Sequence, residues 1–329
     1  MRKGAKSQFF KVIQNEAGSV SFDELPSSPL ETLYIIDAMA FIQRFQTLGM
    51  RTFGQLQSKY LEKILEMKPT GCSVVHFVGD RYDMGIASLK ANERHRREKE
   101  DQSRVYIPTD SACIPAWNDF LGNPKNKENL LKYLALSWST RFNTLPEGFT
   151  LSITENAEVV CITKTGTSRI GELCCPLHEE ADTRIFAHIA VSNQPRIIIQ
   201  ATDTDIIMLS MYYLPRFDHI EEMWIEKTNE FIPVHDTVNS LVSRVYHSPL
   251  HLTNILLCLY VLTGCDSVSY PYKIGKNKAA KLAIQFLDKF PLLSCSDCSN
   301  NITHDLVSEV RKYFSALNGR LGFFLLNEL

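Results

Sequence analysis

The apolar positions of this chain fall into short, nearly continuous runs that stop at an acid. Arg196-Ile-Ile-Ile-Gln200 is too short for a helix and rich in β-branched residues. It predicts a strand buried on both faces, as in a parallel sheet. The run leads at once to Asp203 and Asp205. On extended backbone the side chains alternate, so these two aspartates would project from one side, which is favourable only with a cation between them. Leu33-Tyr-Ile-Ile-Asp37 and Ser73-Val-Val-His-Phe-Val-Gly-Asp80 repeat the pattern. In an open α/β sheet the ligand site lies beyond the carboxyl ends of the strands, so strands ending in aspartate outline a metal site at one edge. A single such aspartate is ordinarily a helix N-cap or turn residue; it is the repetition that points to a metal.

Between these runs the period changes to that of helices. Ala38 to Arg44 should start one, and Phe53 to Met67 places Leu56, Tyr60, Leu61, Ile64 and Leu65 on one face before Pro69-Thr-Gly71. Asn129 to Trp138 reads as helical, and Phe149 to Ile153 with Glu158 to Ile162 reads as a hairpin around Thr154-Glu-Asn156. Pro176 to Ala190 predicts a helix that begins with Glu179, Glu180 and Asp182. A β-rich stretch follows at Met223 to Glu226 and Phe231 to Val234. Helices are then expected from Asp236 to Tyr246, from Asn254 to Thr263 and from Asp305 to Leu317. The fold class is α/β, a mainly parallel central sheet flanked by helices. Residues 1–30 read as an N-terminal extension, 31–285 as the main domain and 286–329 as a helical tail, with 105–150 an irregular cap punctuated by Pro108, Pro115 and Asn123-Pro124.

Charge narrows the partners. The 329 residues carry 35 basic and 37 acidic side chains, so a polyanion must be met by a local basic patch. Lys90, Arg94 and Arg97, spaced by four and three, share one helix face and could contact phosphate; a solvated face of Glu/Lys pairs is the plainer reading of that run. Gly275 opens a helix with Lys276, Lys278 and Lys281 near its start, which suits phosphate as well. The nine cysteines are irregularly placed, as reduced thiols of an intracellular protein are, and no run of about 18 apolar residues supports a membrane span. Cys295 and Cys298 with His304 make half a zinc motif, which Cys174, Cys175 and His178 could complete only if folded beside it; ordinary cysteines are the plainer reading. His76 and His188 lie in apolar runs and read as packed side chains.

Taken in order, the motifs over roughly residues 31 to 285 resemble the flap endonuclease and 5′-exonuclease branch of the PIN-like nucleases. Ile35-Ile36-Asp37-Ala38 is similar to the first strand of that family, Glu180-Ala181-Asp182 to its Glu-Ala-Glu/Asp motif, and Thr202-Asp203-Thr204-Asp205 to its Asp-x-Asp. Thr263-Gly264-Cys265-Asp266 and Ile274-Gly275-Lys276-Asn277-Lys278-Ala279 resemble its helix-two-turn-helix element, the most specific of these matches. The resemblance implies a structure-selective nuclease acting on DNA ahead of RNA, nuclear ahead of cytoplasmic, with two Mg²⁺ or Mn²⁺ ions. It implies Asp37, Asp80, Glu180, Asp182, Asp203, Asp205 and Asp266 as ligands, direct or through water. Lys90 and Arg94 would meet the scissile phosphate, with Arg97, Gly275, Lys276 and Lys278 on the nucleic-acid backbone. Two positions stay open. The second strand of the family ends Phe-Asp-Gly where this chain has Phe77-Val-Gly79-Asp80, so Asp83 rivals Asp80. On a regular helix Glu179 would share a face with Asp182, so it rivals Glu180. The alternatives are a catalytically inactive nucleic-acid-binding or scaffold protein, and a phosphatase-like hydrolase with Asp203 as nucleophile, which would need neither Asp266 nor the Gly275 turn.

Overall fold

The computed structural model describes residues 6–82, 104–228, 230–245, 248–264, 275–285, 291–294 and 303–317. In chain order the helices are α1 (Lys6–Ala17), α2 (Ala38–Phe45), α3 (Phe53–Met67), α4 (Trp117–Gly122), α5 (Pro124–Thr140), α6 (Ala181–Ala190), α7 (Thr204–Tyr213), α8 (Val234–Val245), α9 (Pro249–Leu262), α10 (Lys276–Gln285) and α11 (His304–Leu317). The strands are β1 (Thr32–Asp37), β2 (Val74–Val78), β3 (Thr150–Glu155), β4 (Glu158–Thr163), β5 (Gly166–Arg169), β6 (Arg196–Gln200), β7 (Glu222–Lys227) and β8 (Glu230–Pro233). Two compact units account for these elements. A sheet unit holds residues 25–202 and 226–228, and a helical unit holds 1–24, 203–225 and 229–329.

In the sheet unit the strand order is β5-β4-β3-β2-β1-β6. β3, β2, β1 and β6 run parallel, while β4 and β5 turn back antiparallel at one edge. Leu33 to Ile36 and Ile197 to Ile199 have no exposed surface, which is why these strands read as continuous apolar runs and not as alternating ones. Alternation decides which neighbour each residue meets. Phe77 packs edge-on against Phe41 and Trp138, and His76, one residue earlier, meets His188 of α6. The sheet is therefore covered on both faces.

The order of the strands has a break in it. From β1 the chain moves one way to β2 and β3, and later returns to the other side of β1 to lay down β6. That reversal between β1 and β6 is a topological switch point, where open α/β sheets bind ligands at the carboxyl ends of the strands.

The helical unit begins with α1, whose Phe9 and Ile13 are fully buried. α1 packs on α10, α8 and α7, and α9 packs on α7, α8 and α10. Phe22, beyond α1, bridges to Phe231 of β8. No single helix among the described residues is long and apolar enough to cross a membrane.

Several expectations change here. The N-terminal residues are not simply an extension, because α1 belongs to the core of the helical unit. The 105–150 stretch carries α5, which packs on β3, β4 and α3 and buries Leu130, Leu134 and Trp138. Residues 176–180 are not helical; α6 starts at Ala181, so Glu179 shares no helix face with Asp182 and is itself buried. Asp203 keeps extended backbone angles, but Asp205 does not, so the two do not alternate along one strand. Asp203 is the N-cap of α7 and Asp205 sits in its first turn.

Candidate functional site

The carboxyl ends of the parallel strands carry acids, and most of these acids begin a helix. Asp37 ends β1 and caps α2 in the same step, its Oδ1 accepting the amides of Met39 and Ala40 at 2.9 and 3.0 Å. An aspartate there satisfies two of the donors that a helix start leaves over. The chain turns from strand to helix without a loop, which holds Asp37 at the switch point.

Asp80 lies two residues beyond β2 and reaches further. Its Oδ1 accepts the amide of Ala181 at 2.8 Å, so it caps α6 across a hundred residues of sequence, while Glu180, at the N-cap position, makes no such bond. The Tyr82 hydroxyl donates to its other oxygen at 3.3 Å. The amide of Arg81 donates to the carbonyl of Glu179 at 2.7 Å. These bonds tie the end of β2 to the amino end of α6 and bring Asp80 together with Glu180 and Asp182. Gly79 lies close under α5, where a Cβ would come 2.6 Å from Leu131 Cδ1. Its amide donates to Thr154 Oγ1, and its carbonyl accepts from Arg184 Nη1, both at 2.8 Å.

Arg184 is a residue that sequence reasoning missed. It is fully buried on α6, and burial pulls its pKa down while Cys175 and Asp80 act the other way. One turn later His188 Nδ1 lies 3.1 Å from His76 Nδ1. Burial pushes His76 down to about 4 and holds His188 well below its ordinary value, with His76 and Arg184 adding to the latter. Both are neutral at pH 7, one ring nitrogen donating to the other. The packed reading of the two histidines thus agrees with what they do: they and Arg184 seat α6, which carries Asp182.

In the helical unit, Asp203 stands three residues past β6 along the chain, exposed, with its Oδ1 accepting the amide of Asp205 at 3.0 Å. Asp205 is half-buried and held by side chains. Its Oδ2 is 2.5 Å from Lys6 Nζ, and Tyr260 donates its hydroxyl to Oδ1. Lys276, expected on nucleic-acid backbone, points inward. It is 2 % exposed, donates to the carbonyl of Tyr260 at 2.8 Å, and lies 3.8 Å from the centre of the Tyr260 ring. Cation–π attraction and these bonds offset the cost of burying its charge. Gly275 and Lys278 are exposed at the start of α10.

Asp83, Lys90, Arg94, Arg97 and Asp266 lie outside the described residues, as do Cys295 and Cys298. Among the described residues, the grouped donors that could hold a metal are carboxylate oxygens, with no thiolate or imidazole among them. That set fits Mg²⁺ or Mn²⁺ and not a zinc or copper site. No family model matches the chain, and no curated protein matches it.

Proposed function

We propose that this chain is a divalent-metal-dependent, structure-selective nuclease of PIN-like fold, from the flap endonuclease and 5′-exonuclease branch, hydrolysing phosphodiester bonds of DNA ahead of RNA. One observation carries the reading. Acids stand at the carboxyl ends of β1 and β2 and on the first turn of α6 tied to β2, beside the β1–β6 switch point where such sheets bind ligands, and β6 leads along the chain to Asp203 and Asp205. Asp37, Asp80, Glu180, Asp182, Asp203, Asp205 and Asp266 would hold two Mg²⁺ or Mn²⁺ ions. When bound, the ions supply an activated water and neutralise charge at the leaving oxygen. The residues of the chain orient the rest. Capping fixes Asp37 and Asp80, and Lys90, Arg94, Arg97, Gly275 and Lys278 meet phosphate. Lys276 belongs to the packing of the helical unit.

A second reading, an inactive nucleic-acid-binding or scaffold protein, draws on the same bonds. Asp37, Asp80 and Asp203 each have a structural task as a cap, and Asp205 has a lysine partner, so all four could persist without catalysis. The test is cleavage of end-labelled flap, nicked, hairpin and single-stranded DNA and RNA with Mg²⁺ or Mn²⁺ against EDTA, using wild type and Asp182→Asn. Metal-dependent cutting that the substitution removes is the expected result. Binding without cutting under either metal would turn the choice to the second reading.

A further inference from the structure

Lys6, the first described residue, joins Asp205, 199 residues later in the chain, through an ion pair whose side chains are 20 % and 23 % exposed. The pair is not a loose surface contact. Phe9, on the next turn of α1, is fully buried and packs edge-on against Tyr260 with ring centres 5.3 Å apart. Tyr260 in turn donates to the other oxygen of Asp205. Lys276 closes the frame behind it, 3.8 Å from the Tyr260 ring centre and 5.6 Å from that of Phe9. An aromatic base thus sets α1 so that its first turn delivers an ammonium to the Asp205 carboxylate.

We propose that Lys6 is the resident counter-ion of Asp205, and that Lys6 and a divalent ion hold that carboxylate in alternation. The inference rests on the metal reading above. An ammonium neutralises one charge and donates hydrogen bonds, while Mg²⁺ or Mn²⁺ takes the same oxygen lone pair at a shorter distance; two cations on one oxygen repel each other. Because coupling between two binding events is reciprocal, metal must loosen the hold of Lys6 on Asp205, and loss of Lys6 must tighten metal binding. Lys6 is therefore a tuning residue for the metal, and the first turn of α1 reports whether the ion is bound.

The test is Mn²⁺ binding by calorimetry on the full chain, wild type against Lys6→Met, Lys6→Arg and Asp205→Asn. Hydrogen exchange of the Phe10 and Lys11 amides, which bond to the first-turn carbonyls of α1, is followed with and without Mn²⁺. Asp205→Asn should weaken binding and Lys6→Met should tighten it by about two- to fivefold, the worth of a partly exposed ion pair. Lys6→Arg should stay near wild type, and Mn²⁺ should speed exchange of the Phe10 and Lys11 amides. If binding depends on Asp205 but Lys6→Met leaves affinity unchanged and Mn²⁺ leaves exchange unmoved, the alternation is wrong and the metal reading stands. If no form binds Mn²⁺, the metal reading fails and takes this one with it.

Discussion

Asp37 and Asp80 of the sheet unit and Asp205 of the helical unit are held by different means. Asp37 and Asp80 are fixed by backbone amides, which cannot be exchanged without undoing the start of a helix. Asp205 is fixed by the side chains of Lys6 and Tyr260, which can let go while the helix remains. The contrast teaches that a carboxylate at a strand end has two separable properties, its place and its charge. Backbone bonds secure the place; only a cation balances the charge.

The largest effect expected is on the charge. Asp182→Asn should lower Mn²⁺-dependent cleavage about a thousandfold, roughly 4 kcal/mol of barrier, with unchanged circular dichroism. Full activity in that variant would break the assignment of α6 to the site.

Next comes the seating of α6 by His76 and His188. The folded value of His76, about 4, lies below the ordinary one, so the unfolded chain takes up a proton that the native state refuses. Stability is complete at neutral pH, begins to fall near pH 6.5, and should be lower by about 3 kcal/mol at pH 4 for this histidine alone. Urea titrations across that window read the slope, which should flatten in His76→Gln. An unchanged slope would mean that the pair is already protonated in the folded protein.

The capping acid separates the two properties directly. Asp80→Ala should cost about 1 kcal/mol by thermal melting, whereas Asp80→Asn, which keeps the accepting oxygen, should cost much less. If Asp80 is also a ligand, both variants lose activity alike. If only the alanine variant suffers, Asp80 is a cap and nothing more.

The smallest effect is that of Lys6→Met on stability, about 0.5 kcal/mol at low salt and less at high salt. A large loss in the melting temperature would show that Asp205 depends on its lysine as firmly as Asp80 does on its amide.

Much of this was legible in the pattern of residues. Phe53 to Met67 is helical to the residue, because its apolar face repeats at the helical period and Thr52 caps it with Gln55. β1 and the hairpin of β3 and β4 also fall where β-branched runs meet turn residues. The errors have physical causes. Asp203-Thr204-Asp205 carried both signals at once, a strand behind it and an N-cap with a first-turn acid ahead; the helix won because the amide of Asp205 found a partner in Asp203. The start of α6 was misplaced because its cap is Asp80, far away in sequence. Lys276 read as a phosphate contact for the same reason, since the aromatic rings that receive it lie in other segments.

The switch point also has a history during synthesis. β1 gains its β2 neighbour after about 40 residues but waits some 160 residues for β6, with Thr32 finally opposite Arg196. At ribosomal speeds that is about 10–30 s in which one edge of a mainly apolar strand has no partner. A nascent chain stalled before Gln200 would leave that edge bare, the segment on which another chain could pair. The edge that frames the proposed site is thus among the last parts of the sheet to close.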